Sequence, residues 1–157
     1  MKTSRRRSRE FALQGLYQWQ LARTAPESIA RQLAEAKGFE KIDADYFSAL
    51  LTGTIAAAPE LEREIAPHLD RGFGELSPVE RGILLIAGFE LMHRQDVPYR
   101  VVINEAIELA KSYGGTQGHK FVNGVLDKLA PKLRGPERER GKKEMGNGEQ
   151  ETGDTRS

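Results

Sequence analysis

Hydrophobic residues recur every three or four positions along most of the chain, which is the spacing of amphipathic α-helices. The stretch 4–23 is apolar on two sides. One face carries Phe11, Ala12, Gly15, Leu16 and Trp19, and nearly opposite lie Leu13, Tyr17 and Leu21. A helix that is apolar on two sides is buried between neighbouring helices. This stretch is therefore predicted to be a central helix, with the basic residues at its start projecting from one end.

Capping residues and prolines mark the next helix boundaries. Thr24 with Glu27 is predicted to form a capping box at the start of a short second helix. Asp43 is predicted to cap a third helix. That helix should stop before Pro59, because proline lacks the backbone N–H that a helix interior uses. A shorter segment follows, and Pro67 is predicted to end or kink it.

The clearest boundary is Ser77-Pro78-Val79-Glu80, in which serine, proline and glutamate each occupy a preferred position of a helix start. The helix that follows is apolar nearly all round and is predicted to be a second buried helix. Glu90 falls within its apolar face. Because Glu90 precedes Arg94 by four residues, an ion pair between the two is predicted.

Two further helices are predicted near the end of the ordered pattern. The stretch 101–113 is amphipathic, and Gly114-Gly115 is predicted to end it in a left-handed cap. Thr116 is predicted to cap a last helix that runs to about Leu129.

The fold class is all-α with about seven helices, because no stretch has the alternating β-branched pattern of a strand. The helical pattern ends after Leu133. Beyond it, Gly135-Pro136 is followed by glycine and balanced charges with nothing to bury. Residues 1–133 are therefore predicted to form one helical domain, and 134–157 a disordered charged tail.

Composition limits the class of protein. A chain of 157 residues suits a single core, and the net charge of +1 hides a basic N-terminus. The absence of cysteine suits a reducing compartment. No apolar run reaches the roughly 18 residues of a membrane span, and no apolar segment follows the basic start as in a signal peptide. The sequence predicts a cytoplasmic protein that contacts no membrane.

Candidate catalytic and metal-binding groups are few. His68, His93 and His119 lie on three different segments, and none forms a ligand pair at helical spacing. The stretch 114–118 resembles a phosphate-binding loop only loosely, because it lacks the preceding strand and the lysine-serine/threonine pair. The sequence predicts a binding protein rather than an enzyme, with no cofactor and no metal.

The strongest candidate binding feature is the basic start of the chain, which comprises Lys2, Arg5, Arg6, Arg7 and Arg9. Arginines at a helix N-terminus oppose the helix dipole, so a polyanion contact is expected to offset that cost. Arginine binds phosphate through paired hydrogen bonds and stacks on bases. Tyr17, Lys120 and Phe121 could extend the surface by stacking, which favours single-stranded RNA over a duplex. The alternatives are a solvated terminus without a ligand and, for Tyr17 and Phe121, core packing.

Three stretches carry a family resemblance: RRRSREFALQGLYQWQ at 5–20, DVPYRVVINEAIELAKS at 96–112 and HKFVNGVLDK at 119–128. In this order they resemble the NusB family of bacterial transcription antitermination factors, over about residues 4–133. The resemblance implies two packed small bundles of three or four helices each. It also implies a function. A NusB protein pairs with the ribosomal protein NusE, the heterodimer holds the boxA element of nascent ribosomal RNA, and the complex helps RNA polymerase resist termination.

The resemblance also implies site residues. The arginine cluster matches the family's RNA-contacting N-terminus, with Tyr17, Lys120 and Phe121 alongside it. Glu80 matches an acidic position at the NusE interface, and Glu75 is a weaker candidate for the same interface. This chain has Gln117-Gly118 where the family often has an acidic residue. An effect that depends on that acid is therefore not carried over.

Two other functions remain open from the sequence. One is a helical interaction or self-association module whose arginines serve solubility, and a homodimer is expected when the protein is alone. The other is an RNA-modifying enzyme, because a related helical domain is fused to some ribosomal-RNA methyltransferases. This reading is the poorer fit, since no cofactor-binding domain is expected in the chain.

Overall fold

The computed structural model describes residues 2–135. It contains six α-helices: α1 (Ser4–Ala22), α2 (Pro26–Leu33), α3 (Ala44–Ile65), α4 (Pro78–His93), α5 (Tyr99–Tyr113) and α6 (Gly118–Leu133). Short 3-10 turns lie at Phe39–Lys41, Ala66–His68 and Phe73–Glu75. The predicted all-α fold class is confirmed. About seven helices were predicted, and residues 2–135 contain six α-helices and three 3-10 turns.

The helices form two groups that share one core. Helices α1, α2 and α3 pack together, α4, α5 and α6 form the second group, and α4 also contacts α1 and α3. Leu16, Leu50, Ile83 and Leu126, from four different helices, are fully buried in one continuous hydrophobic cluster. Within residues 2–135, no helix combines the length and apolar character that crossing a bilayer requires.

Helix α1 is buried on one face and only partly on the other. Phe11, Ala12 and Leu16 are in the core, as predicted. On the second stripe Leu13 is buried, but Tyr17 is 44% exposed and Leu21 is 60% exposed. The prediction of burial on two sides is therefore wrong for the C-terminal half of α1, because the described helices leave Tyr17 and Leu21 largely uncovered.

Helix α4 begins as predicted. Ser77 Oγ accepts a hydrogen bond from the Glu80 backbone N–H at 3.1 Å, and the Ser77 N–H donates to Glu80 Oε1 at 3.3 Å. The two contacts form the capping box. The rest of α4 is buried almost all round, which confirms it as the second buried helix.

Helix α3 does not stop before Pro59, which lies inside it. The start of α3 is as predicted, since Asp43 Oδ1 accepts from the Tyr46 N–H. Leu61 and Ile65, past the proline, are fully buried, and this packing holds the last turns in place despite the missing hydrogen bond. The helix ends at Ile65, and Pro67 lies in the 3-10 turn that follows.

Two of the predicted helix starts are wrong. Helix α2 has Ala25 at its N-cap and no side-chain capping bond, because Pro26 takes the first helical position and leaves Thr24 one residue too early. Helix α6 begins after Gln117 rather than at Thr116, and it continues through Pro131 to Leu133.

Helix α5 ends at Tyr113, as predicted, and Gly114 is its C-cap. Gly114 has a φ of −97°, whereas Gly115 has a φ of 81°. The left-handed position that glycine tolerates is therefore Gly115 alone.

The packed part of the chain extends past the predicted boundary at 133. Arg134 is 2% exposed, and its guanidinium donates hydrogen bonds to the backbone carbonyls of Glu90, Leu91 and Arg94 at the end of α4. The structured domain thus includes Arg134. The remainder of the predicted tail, from residue 136 onward, lies outside the described residues.

Candidate nucleic-acid interface

The arginine-bearing start of α1 is fixed to the rest of the fold. Thr3 Oγ1 accepts a hydrogen bond from the Arg6 N–H at 3.0 Å and caps the helix. Ser8 is fully buried, and its Oγ bonds to both the N–H and the carbonyl of Asp43 at 2.9 Å. These bonds tie the first turns of α1 to the start of α3, so the arginines project from a rigid base.

Arg9 points into the protein rather than into solvent. It is 3% exposed, and its Nη2 lies 2.8 Å from Glu90 Oε2. Glu90 also accepts a short hydrogen bond from the Tyr46 hydroxyl, and Glu105 lies 3.6 Å from Arg9 Nη1. Burial disfavours the charged guanidinium, but the hydrogen bonds and charge of Glu90 outweigh it, so the pKa of Arg9 lies above its usual value.

The predicted Glu90–Arg94 pair is wrong. Glu90 is bound by Arg9, which is 81 residues away in sequence. Arg94 instead binds Asp96 through two hydrogen bonds of 3.0 and 3.1 Å. The Arg94 contact holds the pKa of Asp96 below its usual value. The four-residue spacing favoured Arg94 as the partner of Glu90. The side chain of Glu90 instead faces the core, where the guanidinium of Arg9 binds it.

Arg5 stacks on Tyr46 at the surface. Its guanidinium carbon lies 4.1 Å from the centre of the Tyr46 ring, and that of Arg94 lies 4.8 Å from the same centre. Asp43 and Asp96 lie 3.8 and 4.0 Å from Arg5, which is longer than a hydrogen bond. With 43% of its side chain exposed, Arg5 keeps donors free for a ligand.

Arg6 is already occupied by a carboxylate. Its Nε and Nη2 donate to the two oxygens of Glu105 at 2.9 and 2.8 Å, and the side chain of Glu105 is 14% exposed. The Glu105 hydrogen bonds raise the pKa of Arg6. Arg6 is one-third exposed and can bind a phosphate only beside Glu105 or in place of it.

Arg7 is the least engaged of the four arginines. Within residues 2–135 its side chain has no ion-pair or hydrogen-bond partner, whereas Lys2 is paired with Glu10 at 2.7 Å. The four arginines therefore differ in how far their guanidinium groups are already bound within the protein. Arg9 is internal, Arg6 is neutralised, Arg5 is stacked, and Arg7 is free to bind an anion.

Tyr17 lines a shallow groove along α1, about three turns beyond the arginines. The groove has a volume of about 280 Å³ and contains Leu13, Gln14, Gln18 and Val79 besides the partly exposed rings of Tyr17 and Tyr113. Burial, together with the charge of Glu10, raises the pKa of Tyr113. Tyr17 is therefore available for contact, which its predicted role in binding requires.

Lys120 and Phe121 lie near the 3-10 turn that follows α3 rather than beside the arginines. They border a groove of about 190 Å³ together with His68, Asp70 and Lys128. The guanidinium of Arg71 lies 5.0 Å above the Phe121 ring. Lys120 is exposed, while Phe121 is half-buried against the core.

Glu75 ends the 3-10 turn that precedes α4, and Glu80 lies in the first turn of α4. Glu75 is exposed, and Glu80 is partly exposed and serves the capping box through one carboxylate oxygen. An ionised carboxylate accepts several hydrogen bonds, so Glu80 retains capacity for an outside donor.

Sequence reasoning missed Tyr46, Glu105 and Arg71, each of which organises a predicted site residue. The contact between Tyr46 and Arg5 joins residues that are far apart in sequence. Within residues 2–135, no three histidine, aspartate or glutamate side chains converge as a metal site requires.

The chain is similar to known proteins over most of its length. The model of the NusB family matches residues 6–131. The transcription antitermination protein NusB of Aromatoleum aromaticum is 58% identical over 133 residues, covering 85% of this chain and 92% of the relative. That of Nitrosospira multiformis is 60% identical over 129 residues, covering 82% of each chain.

Solved structures share the fold. A structure of T. maritima NusB is similar with a TM-score of 0.74 and 33% identity, over 83% of this chain and 92% of that one. A structure of the antitermination factors NusB and NusE in complex with double-stranded RNA is similar with a TM-score of 0.74 and 27% identity, over 81% of this chain and 96% of that one.

Proposed function

This chain belongs to the NusB family of transcription antitermination factors, and from that premise we propose that it binds the boxA element of nascent ribosomal RNA as a heterodimer with ribosomal protein NusE. In this role it joins the antitermination complex that helps RNA polymerase resist termination. The protein acts by holding RNA and partner rather than by chemistry.

The observation that carries the RNA part of this proposal is the unpaired Arg7 beside the stacked Arg5. Arg7 has no ion-pair partner within residues 2–135, and Arg5 lies over the Tyr46 ring with its donors partly free. Two cations at the end of a rigid helix can bind successive phosphates without a large loss of side-chain entropy. Arg6 joins them when a phosphate either replaces Glu105 on the Arg6 guanidinium or binds that guanidinium beside Glu105.

Arg9 has a different role in the proposal. Its guanidinium is bound by Glu90 inside the protein, so it anchors the start of α1 rather than contacting a phosphate. The proposed RNA surface consists of Arg5, Arg6 and Arg7 at the start of α1, Tyr17 about three turns further along α1, and Lys120 with Phe121 at the start of α6.

A single strand suits these residues better than a duplex does. Tyr17 is 44% exposed, and Phe121 lies beneath a guanidinium. Aromatic rings and guanidinium planes stack on unpaired bases. A relative with this fold has been solved with NusE and double-stranded RNA, which supports an RNA ligand and a NusE partner for this chain.

The partner contact is proposed at Glu75 and Glu80. Glu75 lies in the 3-10 turn before α4, and Glu80 lies in the first turn of α4, where the Ser77 capping box holds it. A carboxylate that is held in one position can accept from an arginine or lysine of NusE at little entropic cost.

The test is a calorimetric titration of boxA RNA into the protein, with and without NusE, repeated with a scrambled RNA of the same length. We expect tight binding only for boxA and only with NusE present. Equal affinity for the scrambled RNA would show that the surface binds RNA through its charge without recognising boxA. Binding of NusE with no effect of any RNA would favour the alternative of a helical interaction module whose arginines serve solubility.

A further inference from the structure

The carboxylate of Glu105, on α5, faces two guanidinium groups at the start of α1. It accepts hydrogen bonds from Arg6 Nε at 2.9 Å and from Arg6 Nη2 at 2.8 Å, so it occupies one whole edge of the Arg6 guanidinium. The oxygen that accepts from Arg6 Nε, Glu105 Oε1, also lies 3.6 Å from Arg9 Nη1. Glu105 is therefore bound to one arginine and lies close to a second.

Arg9 has a donor that is not yet used. Its Nε and Nη2 donate to Glu90 at 3.1 and 2.8 Å, whereas its Nη1 makes no hydrogen bond within residues 2–135. The 3.6 Å between Arg9 Nη1 and Glu105 Oε1 is longer than a hydrogen bond. A small rotation of the Glu105 side chain toward Arg9 closes this distance.

Two further carboxylates lie near Arg6 and are paired elsewhere. Glu10 and Glu108 lie 2.7 and 3.9 Å from lysine side chains. Their charges act on the Arg6 guanidinium, but within the part of the chain that the structure describes neither of them bonds to it. Glu105 thus differs from both, because it occupies the donors through which Arg6 would bind a phosphate side-on.

The charges of the four bonded side chains balance. Arg6 and Arg9 are positive, Glu90 and Glu105 are negative, and only 14% of the Glu105 side chain is exposed. A phosphate on Arg6 brings a further negative charge next to Glu105, and like charges repel more strongly where water is excluded. Glu105 therefore opposes the phosphate for as long as it stays on Arg6. Because it is largely buried, it needs another cation when it leaves.

We propose that Glu105 is an internal competitor of RNA: a phosphate takes the Nε–Nη2 edge of Arg6, and the Glu105 carboxylate turns to Arg9 Nη1. The inference rests on the proposed RNA-binding function and gives Glu105 a positioning role in it. The free protein presents Arg5 and Arg7 as open cations, while Arg6 becomes available only when RNA displaces its internal partner. The exchange costs part of the free energy of the Arg6–phosphate contact, so Glu105 lowers RNA affinity while the number of bound phosphates stays the same.

The test is a double-mutant cycle on the full-length protein with NusE, read as the affinity for boxA RNA. Glu105→Gln keeps the shape of the side chain and removes its charge. It should raise the affinity about tenfold, which is the scale of one charge-assisted hydrogen bond. In an Arg6→Ala background the same substitution should change the affinity less than about twofold, because the contact that Glu105 opposes is then absent.

Glu108→Gln is the matched control. Glu108 lies on the same helix, carries the same charge and acts on Arg6 without bonding to it. Its removal should raise the affinity less than about threefold, and equally with and without the Arg6 side chain, because a charge at that distance is screened by salt. A purely structural role of Glu105 predicts the opposite sign, since a loosened start of α1 binds RNA more weakly.

Nuclear magnetic resonance of the arginine side chains observes the exchange directly. In the free protein the Arg6 Nε–H is bonded to Glu105, so its proton should exchange slowly with water. On addition of boxA RNA to the complex with NusE, the Arg6 Nε–H signal should shift and the Arg9 Nη1 protons should become protected. An Arg6 signal that stays unchanged while RNA binds would mean that Glu105 remains in place, which overturns the exchange.

The outcomes separate this inference from the proposed function. If no boxA RNA binds the unmodified protein with NusE, the proposed function fails and this inference fails with it. If RNA binds and Glu105→Gln leaves the affinity unchanged or lowers it, the proposed function stands and the competitor role is wrong. If the gain from Glu105→Gln persists in Arg6→Ala, Glu105 acts through long-range charge as Glu108 does, and the exchange is likewise overturned.

Discussion

Arg9 and Glu90 form a buried ion pair that joins the start of α1 to the end of α4, with 2.8 Å between Arg9 Nη2 and Glu90 Oε2. Their side chains are 4% and 1% exposed. Removing one partner of such a pair leaves an uncompensated buried charge, which costs more than the pair itself contributes. The pair therefore fixes how the arginine-bearing end of α1 is seated on the second group of helices.

The substitution Glu90→Gln keeps the shape of the side chain and removes its charge. We expect it to lower the free energy of unfolding by about 3 kcal/mol, because the Arg9 guanidinium is then buried without a full counter-charge. Urea denaturation measures this. The control is Glu35→Gln at an exposed position with no ion pair among residues 2–135, which should change stability by less than about 0.5 kcal/mol. Equal effects of the two substitutions would contradict the role of the pair.

Tyr46 should make stability fall at high pH. Burial, and then the charge of Glu90, raise the pKa of its hydroxyl well above its usual value of 10.0. Between the unfolded and folded pKa values the unfolded chain loses this proton and the folded protein keeps it. Folding is therefore disfavoured as pH rises above 10.0, and the contribution is fully present below that value.

The substitution Tyr46→Phe isolates this effect. At neutral pH it should cost about 1–3 kcal/mol, because Glu90 loses a buried hydrogen-bond donor. The difference between the two proteins should shrink as pH rises from 9 to 11, since phenylalanine has no proton to lose. Urea unfolding at a series of pH values checks this. A difference that stays constant over that range would show that the Tyr46 hydroxyl titrates normally.

Arg134 should stabilise the domain from beyond the last turn of α6. Its guanidinium donates hydrogen bonds to three backbone carbonyls at the end of α4, those of Glu90, Leu91 and Arg94. Arg134→Ala is expected to lower stability by about 2–4 kcal/mol. Arg63→Ala, at an exposed position of α3, should be nearly neutral. If thermal melts showed both variants unfolding at the same temperature as the unmodified protein, the stabilising role of Arg134 would be refuted.

Two glycines in helices should respond in opposite directions to alanine. A Cβ at Gly53 in α3 would collide with the ring of Phe89 on α4, so Gly53→Ala is expected to cost about 1–3 kcal/mol through overpacking. A Cβ at Gly124 in α6 would meet nothing within 4 Å. Gly124→Ala should therefore raise stability by about 0.5–1 kcal/mol through helix propensity. Denaturant unfolding checks this: the midpoint of Gly53→Ala should lie below that of the unmodified protein, and the midpoint of Gly124→Ala above it.

Local signals in the sequence predicted local structure well. The box formed by Ser77 and Glu80 and the cap by Asp43 depend on residues three positions apart, and both occur as predicted. Pro59 was misjudged because its effect is decided by Leu61 and Ile65, whose packing partners lie on other helices.

The candidate site was predictable in type but not in detail. A cluster of arginines predicts an anion surface, yet nothing near Arg9 in sequence indicates that Glu90 will bind it. The same holds for Arg6 with Glu105, which are 99 residues apart. Which arginine stays free is set by the packing of α1 against α4 and α5, and that packing is a property of the whole chain.

The salt dependence of boxA RNA binding to the protein with NusE shows whether the arginines of α1 bind phosphates. Contacts of Arg5, Arg6, Arg7 and Lys120 with four phosphates of a single strand predict a log–log slope near −3. Arg7→Ala should bring the slope to about −2 and leave the urea midpoint unchanged, since Arg7 has no ion-pair partner among residues 2–135. A slope near zero, or a slope that Arg7→Ala does not change, would contradict the account.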